Sequence, residues 1–224
     1  MLKQTQYTVS DEMLTRAATT PLISDFKNTI NAPTGRFFYD KWELLPEYKG
    51  TVWEEIMNTL PVECGEARLI RLAPGACYNS HADIDDRYHL NITGNYCYLV
   101  NIDTAKMYKL IKDGIWYDFN AGPRHSAVNF GDVHRIQLVI RKLLHTNALQ
   151  DPVKITITVE SMPLDDARYI FDDSISLWLN AAVKRGVLMD FNYSPDGTVR
   201  FNVERECVQE VVNILPNGFI LKHD

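Results

Sequence analysis

The sequence lacks the marks of several protein classes. Its 23 Lys and Arg residues are outnumbered by 29 Asp and Glu, which gives a net charge of −6. A phosphate-binding surface needs clustered basic residues, so we expect no nucleic-acid partner. No run approaches the about 18 apolar residues of a membrane-spanning helix, and the N-terminal segment has no apolar signal-peptide core. These absences predict a cytoplasmic protein without a membrane partner.

Cysteine is scarce and scattered. The four cysteines, at positions 64, 77, 97 and 207, form no Cys-x-x-Cys pair. That spacing excludes a zinc knuckle or a dithiol redox motif. We expect four reduced thiols, and the sequence shows neither an internal repeat nor a low-complexity tract.

Short segments rich in β-branched and aromatic residues fill residues 67–144. Turn signals such as Pro74-Gly75 and Asp113-Gly114 separate them, at the spacing of an antiparallel sandwich or jelly roll. The segments that predict strands are ARLIRLA, YHLNI, YCYLVNI, KMYKLI, IWYDF, AVNF and IQLVI. We therefore predict a mainly β domain over residues 1–150, with flanking helices and a double-stranded β-helix (jelly-roll, cupin-like) core.

Two local predictions accompany this domain. Residues 52–60 place Val52, Ile56 and Leu60 at four-residue intervals, as on one face of a helix. Residues 106–119, with Asp113-Gly114 between two strand-like halves, predict one β-hairpin.

The pattern changes from about residue 151. Residues 153–161 are strand-like, residues 164–185 are helix-like, and a hairpin around Pro195-Asp196-Gly197 precedes a second helix and a last strand. The order β-α-β-β-α-β predicts a small α+β, ferredoxin-like module over residues 151–224. In its first helix the predicted buried face consists of Phe171, Ile175, Trp178, Ala182 and Val183. The sequence leaves three roles open for this module: its helix faces could serve packing, form a lid or form a homodimer.

The main candidate site consists of His81, Asp83 and His125. In a strand or at its end, residues two apart project to the same side, so His81 and Asp83 can reach a common point. Two imidazoles and one carboxylate on one face of a six-coordinate ion leave three adjacent positions open, which is the facial triad of ferrous oxygenases. The three residues are therefore predicted as Fe(II) ligands.

Arg135 is the predicted anchor for a co-substrate. A strand that follows His125 and returns through Gly131 would aim Arg135 into the barrel, where its planar fork can grip the distal carboxylate of 2-oxoglutarate. His134 is the alternative to His125 as third ligand. Strand alternation points it outward if Arg135 points inward, which favours His125.

Two segments of the chain carry a family resemblance. PGACYNSHADIDDRYHLNI, with DGIWYDFNAGPRHSAVNFGDVHRIQLVI downstream, resembles the aspartyl/asparaginyl β-hydroxylase family of Fe(II)/2-oxoglutarate-dependent oxygenases. The likeness covers about residues 67–142. It rests on the Pro-Gly turn before His81, the Arg-x-His-Leu run at Arg87, the tryptophan hairpin and the interval from His125 to Arg135. The animal branch has glycine where this chain has Asp83, so the pattern is closer to the bacterial proline hydroxylase branch.

The resemblance implies a dioxygenase that uses Fe(II), 2-oxoglutarate and O2 and releases succinate and CO2. Its substrate would be a free amino acid or small carboxylate, or an Asp, Asn or Pro side chain in a peptide. Arg87 and His89 share a strand face and match the family's run, which predicts that they line the pocket and bind a carboxylate. The alternative is that Arg87 is a surface arginine held in an ion pair and that His89 is a core histidine whose hydrogen bonds are satisfied. Asp85 and Asp86 are predicted to be solvated loop carboxylates.

Two other functions would use the same residues. A cupin-like metal-binding isomerase or a co-substrate-independent dioxygenase would keep the histidines without needing Arg135. A non-catalytic assembly protein would retain the fold without binding iron.

Overall fold

The computed structural model describes residues 1–24, 27–146, 148–160 and 162–223. By its contacts the chain divides into two compact units. The first comprises Met1–Ser80 and Asp85–Leu143, and the second comprises His81–Ile84 and Leu144–Asp224. Among the described residues, none of the helices has the length and apolar character that crossing a membrane requires.

The first unit is built mainly from short strands, with two helices near its N-terminus. The strands are β1 (Leu2–Thr8), β2 (Lys27–Thr29), β3 (Asn31–Pro33), β4 (Trp42–Leu44), β5 (Cys64–Leu72), β6 (Arg87–Thr93), β7 (Cys97–Asn101), β8 (Lys106–Leu110), β9 (Ile115–Phe119), β10 (His125–Asn129) and β11 (Arg135–Lys142). The helices are α1 (Asp11–Thr19) and α2 (Val52–Asn58). Strands therefore form in every segment between residues 67 and 142 where the sequence predicts one.

Two antiparallel sheets form the jelly-roll core of this unit. The larger has six strands in the order β1-β9-β6-β11-β5-β2, and the smaller has three in the order β10-β7-β8. Phe119 in the larger sheet packs with Leu99 and Ala127 in the smaller one. The two sheets thus meet face to face, and the site residues of β6, β10 and β11 lie on them.

Alternate residues of the six-stranded sheet point to opposite faces. Residues that pair directly across neighbouring strands share a face. Val139 in β11, for example, pairs with Arg68 in β5 and with His89 in β6, so all three point to the same face. The outer face is apolar and packs against α1 and α2; it contains Ala67, Leu69, Leu90, Ile92, Leu138 and Ile140. The inner face, towards the smaller sheet, contains Glu66, Arg68, Arg87, His89, Asn91, Arg135, Gln137 and Arg141. Polar side chains on this inner face are mostly buried, which sets it apart as a site.

The predicted hairpin at Asp113-Gly114 is wrong. Strand β8 pairs with β7 in the smaller sheet, whereas β9 pairs with β1 and β6 in the larger one. The Asp-Gly turn is therefore a crossover between sheets. Gly114 is required there, because its φ is +71° and an added Cβ would collide with the Val9 carbonyl oxygen. Pairing with the N-terminal strand, about a hundred residues away, overrides the local turn signal.

The predicted helix at residues 52–60 is confirmed as α2. Thr51 caps its first turn by accepting a hydrogen bond from the Trp53 amide, and Val52, Ile56 and Leu60 are buried as expected. Trp53 is buried as well, so α2 adds an aromatic side chain to the core of the outer face.

The second unit contains a four-stranded antiparallel sheet. Its elements are β12 (Pro152–Val159), α3 (Leu164–Ile170), α4 (Ser176–Arg185), β13 (Leu188–Tyr193), β14 (Val199–Glu204), α5 (Val208–Ile214) and β15 (Phe219–His223), and the strand order is β13-β14-β12-β15. The hairpin predicted around Gly197 is confirmed by the pairing of β13 with β14. Ser161, the last residue of the predicted first strand, lies outside the described residues. The ferredoxin-like interpretation of the unit stays a prediction.

A π-helical turn, Phe171–Ile175, joins α3 to α4. Because such a turn holds an extra residue, the side chains after it are rotated relative to a continuous α-helix. Trp178 and Val183 are only half-buried. The buried residues of α4 are Ser176, Leu179, Asn180 and Ala182. The predicted buried face is thus right for Phe171, Ile175 and Ala182 and wrong for Trp178 and Val183.

Candidate metal centre

The structure brings His81, Asp83 and His125 together. His81 and Asp83 lie in the segment between β5 and β6, and His125 is the first residue of β10. One ligand atom from each residue lies within 4.8 Å of the other two, and His81 Nε2 is 3.7 Å from Asp83 Oδ2. Two imidazoles and a carboxylate are a donor set suited to a first-row transition metal. This cluster can hold a metal ion, and the assignment of its residues as ligands stays a prediction.

His125 is oriented by its own backbone neighbourhood. Its Nδ1 lies 2.9 Å from the Pro123 carbonyl oxygen. A carbonyl only accepts, so Nδ1 carries the proton and the lone pair is on Nε2. A hydrogen bond of this kind fixes the ring and the tautomer that a metal ligand requires.

Phe119 lies between two imidazoles. Its ring centroid is 4.8 Å from that of His125 and 4.8 Å from that of His89. Burial, aided by the Arg87 and Arg135 guanidinium groups, holds the pKa of His89 well below its usual 6.5. His89 is therefore a neutral, buried imidazole. Neither of its ring nitrogens has a hydrogen-bond partner among the described residues, which fits the predicted pocket-lining position better than a satisfied core histidine.

Arg135 is buried in the inner face with 1% of its surface exposed. Its Nη2 donates to the Tyr78 hydroxyl at 3.3 Å, and its guanidinium lies over the Tyr78 ring. Within the described part of the chain, its Nε and Nη1 have no hydrogen-bond partner and no carboxylate forms an ion pair with it. Burial raises the pKa of Tyr78, although Arg135 opposes the shift, so Tyr78 offers a neutral hydroxyl. A buried charge in this state is costly unless a ligand compensates it.

A network of ion pairs occupies the rest of the inner face. Arg141 pairs with both Glu66 and Asp85, and Arg87 lies 3.8 Å from Asp85. Burial alone would raise the pKa of Glu66, but Arg68, Arg141 and Lys27 lower it from 4.5 to about 2. Asp85 is not a solvated loop carboxylate as predicted, because it is buried as the counter-ion of Arg87 and Arg141. Asp86 is half-buried and accepts a hydrogen bond from the Ala121 amide. Arg87 is thus buried and paired, not a surface arginine.

His134 is separate from the cluster. It is exposed and lines a cleft of about 700 Å³ together with Arg71, Cys77 and Tyr78. Arg135 next to it is buried, as the strand-alternation argument requires. Among the described residues, the structure therefore groups His125 and not His134 with His81 and Asp83.

Comparison with known proteins gives little beyond this geometry. No family model matches the chain, and no curated protein matches it. Several solved structures show partial likeness, two of them cupins. One is a cupin domain from Bordetella pertussis Tohama I, with 20% identity and a TM-score of 0.31 over 34% of this chain and 78% of that one. The other is a sugar phosphate isomerase from a cupin superfamily, from Silicibacter pomeroyi DSS-3, with 18% identity and a TM-score of 0.29 over 44% of this chain and 58% of that one.

Both likenesses are too weak to carry an argument about this chain. The jelly-roll description of the first unit rests on its own strand order and pairing. Its function has to be argued from the site residues.

Sequence reasoning missed the ion-pair network and Tyr78. A signal for the network was present, since Glu66 and Arg68 alternate with apolar residues along one strand and Arg135, Gln137 and Arg141 do so along another. Such alternation within strands already predicted as buried indicates a polar inner face. For Tyr78 no signal exists, because its contact with Arg135 joins residues that are distant in sequence.

Proposed function

We propose that this protein is an Fe(II)/2-oxoglutarate-dependent dioxygenase that hydroxylates a small molecule. His81, Asp83 and His125 would hold the iron, and Arg135 would bind the distal carboxylate of 2-oxoglutarate. Free amino acids and related small carboxylates are the favoured substrates, and an Asp, Asn or Pro side chain in a peptide is the alternative.

Arg135 is the observation that carries the proposal. Its guanidinium is buried, and two of its donor nitrogens lack partners among the described residues. A guanidinium presents paired donors that match a carboxylate. A carboxylate bound there would compensate the positive charge and accept hydrogen bonds from these two nitrogens. The Tyr78 hydroxyl, 3.3 Å from Arg135 Nη2, would be a further donor to it.

Iron would supply the oxidising chemistry, in which O2 and 2-oxoglutarate give succinate and CO2 while one oxygen atom enters a substrate C–H bond as hydroxyl. The chain's own residues do the rest. The Pro123 carbonyl holds His125 in the tautomer that would bind metal, and the Phe119 ring packs edge-to-face against the His125 ring. Tyr78, whose hydroxyl accepts a hydrogen bond from Arg135, also lines a cleft of about 700 Å³, a size suited to a small molecule.

Two further interpretations of the sequence are part of this proposal. The pattern of residues 67–142 supports a place near the aspartyl/asparaginyl β-hydroxylase family. In the second unit, the element order and the antiparallel strand order β13-β14-β12-β15 support a ferredoxin-like module. That fold serves many functions, so it adds nothing to the choice of reaction.

Anaerobic reconstitution tests the proposal directly. Purified protein is titrated with Fe(II) and then with 2-oxoglutarate, and chelation of the keto acid is followed by its visible charge-transfer absorption. We expect Arg135→Gln to bind Fe(II) as the wild type does but to lose about 100-fold or more in 2-oxoglutarate affinity, since it removes one partner of a buried charge pair. Oxygen is then admitted in the presence of an amino-acid panel, and succinate release identifies the substrate class.

Arg124→Gln is the matched control. Arg124 is half-exposed and pairs with Asp103, so its loss should leave both affinities unchanged. Iron binding with no response to 2-oxoglutarate would reject the oxygenase in favour of a cupin-like isomerase or co-substrate-independent enzyme. Absence of iron binding by the wild type would reject the metal site and favour a non-catalytic protein.

A further inference from the structure

Asn180 in α4 makes a paired contact with the segment that carries two candidate ligands. Its side-chain amide donates one hydrogen bond to the Asp83 carbonyl and one to the Ile84 carbonyl, each 3.0 Å long. An asparagine amide has two N–H donors, and both are used on consecutive peptide groups. The side chain is 4% exposed, so water does not compete for these bonds.

The segment that Asn180 contacts has little regular structure of its own. Residues 82–84 lie outside any strand or helix, and buried backbone carbonyls there need partners from elsewhere. Ala82 and Ile84 are buried on either side of Asp83. Two apolar anchors and the Asn180 amide therefore hold the backbone from which the Asp83 carboxylate projects.

A π-helical turn immediately precedes α4, the helix that carries Asn180. Such turns are uncommon and recur at functional sites. In α4 the structure buries Leu179 and Asn180, whereas Trp178 and Val183 are only half-buried. A polar side chain thus occupies a buried position that the apolar pattern of this helix does not predict.

We infer that Asn180 is a positioning residue for the metal site: it fixes the Asp83–Ile84 backbone so that the Asp83 carboxylate is preorganised for its ion. This inference rests on the proposed function for the identity of the ligands. A residue of this kind acts through the ligand and does not touch the metal.

A metal titration tests the inference independently of activity. Co(II) replaces Fe(II) as a stable spectroscopic probe, and its dissociation constant is measured for the wild type, Asn180→Ala and Asn180→Asp. We expect both variants to bind Co(II) about 10- to 100-fold more weakly, the range found when a residue supporting a metal ligand is lost. Asn180→Asp keeps the shape of the side chain but replaces two donors with an acceptor, so it remains informative if Asn180→Ala does not fold.

Leu179→Ala is the control for a purely structural effect. Leu179 is adjacent on the same helix and fully buried, so its truncation should destabilise the unit at least as much as loss of the amide. All variants are measured at a temperature where circular dichroism shows them folded. Leu179→Ala should then retain the wild-type Co(II) affinity, although its Tm falls.

Three outcomes separate this inference from the proposed function. Unchanged Co(II) affinity in both Asn180 variants would overturn the positioning role and leave the metal site intact. Weakened affinity in the Asn180 variants, with no 2-oxoglutarate binding by the wild type, would support the positioning role while the oxygenase fails. A wild-type protein that binds neither Co(II) nor Fe(II) would overturn both.

Discussion

The outer and inner faces of the six-stranded sheet come from the same strands yet differ completely in chemistry. On the outer face, Leu90 and Leu138 pack with the residues of α1 and α2 in a continuous apolar core. On the inner face, His89 and Arg135 of the same two strands are buried polar groups with side-chain atoms that lack hydrogen-bond partners among the described residues. A period of two residues thus separates the apolar side chains of the core from the buried polar side chains of the inner face.

The largest effect on stability should come from the outer face. Leu138 is fully buried, so Leu138→Ala should lower the free energy of unfolding by about 2–5 kcal/mol through lost burial and a cavity. Urea denaturation measures the loss. The 2-oxoglutarate affinity of the folded variant should stay within about twofold of the wild type, and a much larger change would show that the two faces are not independent.

A smaller effect that depends on pH should come from the inner face. The pKa of Glu66 is lowered from 4.5 to about 2 in the folded protein. A depressed carboxyl pKa stabilises the fold above the unfolded pKa, and this contribution is lost as the pH falls from about 4.5 towards 2. Glu66→Gln should therefore lower the free energy of unfolding by up to about 3 kcal/mol at neutral pH.

Unfolding curves across this pH range check that prediction. The difference between wild type and Glu66→Gln should shrink as the pH drops below 4.5. Glu63→Gln is the control, since Glu63 is exposed and its replacement should leave the curve of stability against pH unchanged. A constant difference between wild type and Glu66→Gln at all pH values would contradict the assigned role of the three cations.

The smallest effect is expected at His134, which is exposed next to Arg135. His134→Ala should change the Co(II) dissociation constant by no more than about twofold. His125→Ala should raise it by more than about 100-fold, since it removes a proposed ligand instead of a supporting residue. Equal losses in the two variants would return His134 to consideration as a ligand.

Periodicity and spacing predicted much of this molecule. Strand positions between residues 67 and 142 follow from alternation and turn residues, and the structure brings together the three residues chosen by type and spacing. These predictions succeed because they depend on local geometry. Turn residues alone did not decide pairing at Gly114, since the partner of β9 lies at the other end of the unit.

The failures also share a physical cause. Asp85 looked like a solvated loop residue until Arg87 and Arg141 supplied its counter-charges. Asn180 carried no signal, because its partners are about a hundred residues away in the sequence. Contacts between distant segments decide these side chains, and a single sequence does not encode them in any local pattern.

The pairing of β1 with β9 has a consequence for how the chain acquires its fold. Residues 2–8 are synthesised before residues 115–119, which are their hydrogen-bonding partner. Strand β1 therefore remains without this partner until about a hundred further residues have been synthesised. Its mostly polar composition, LKQTQYT, suits that delay, since a polar strand edge resists premature association with other chains.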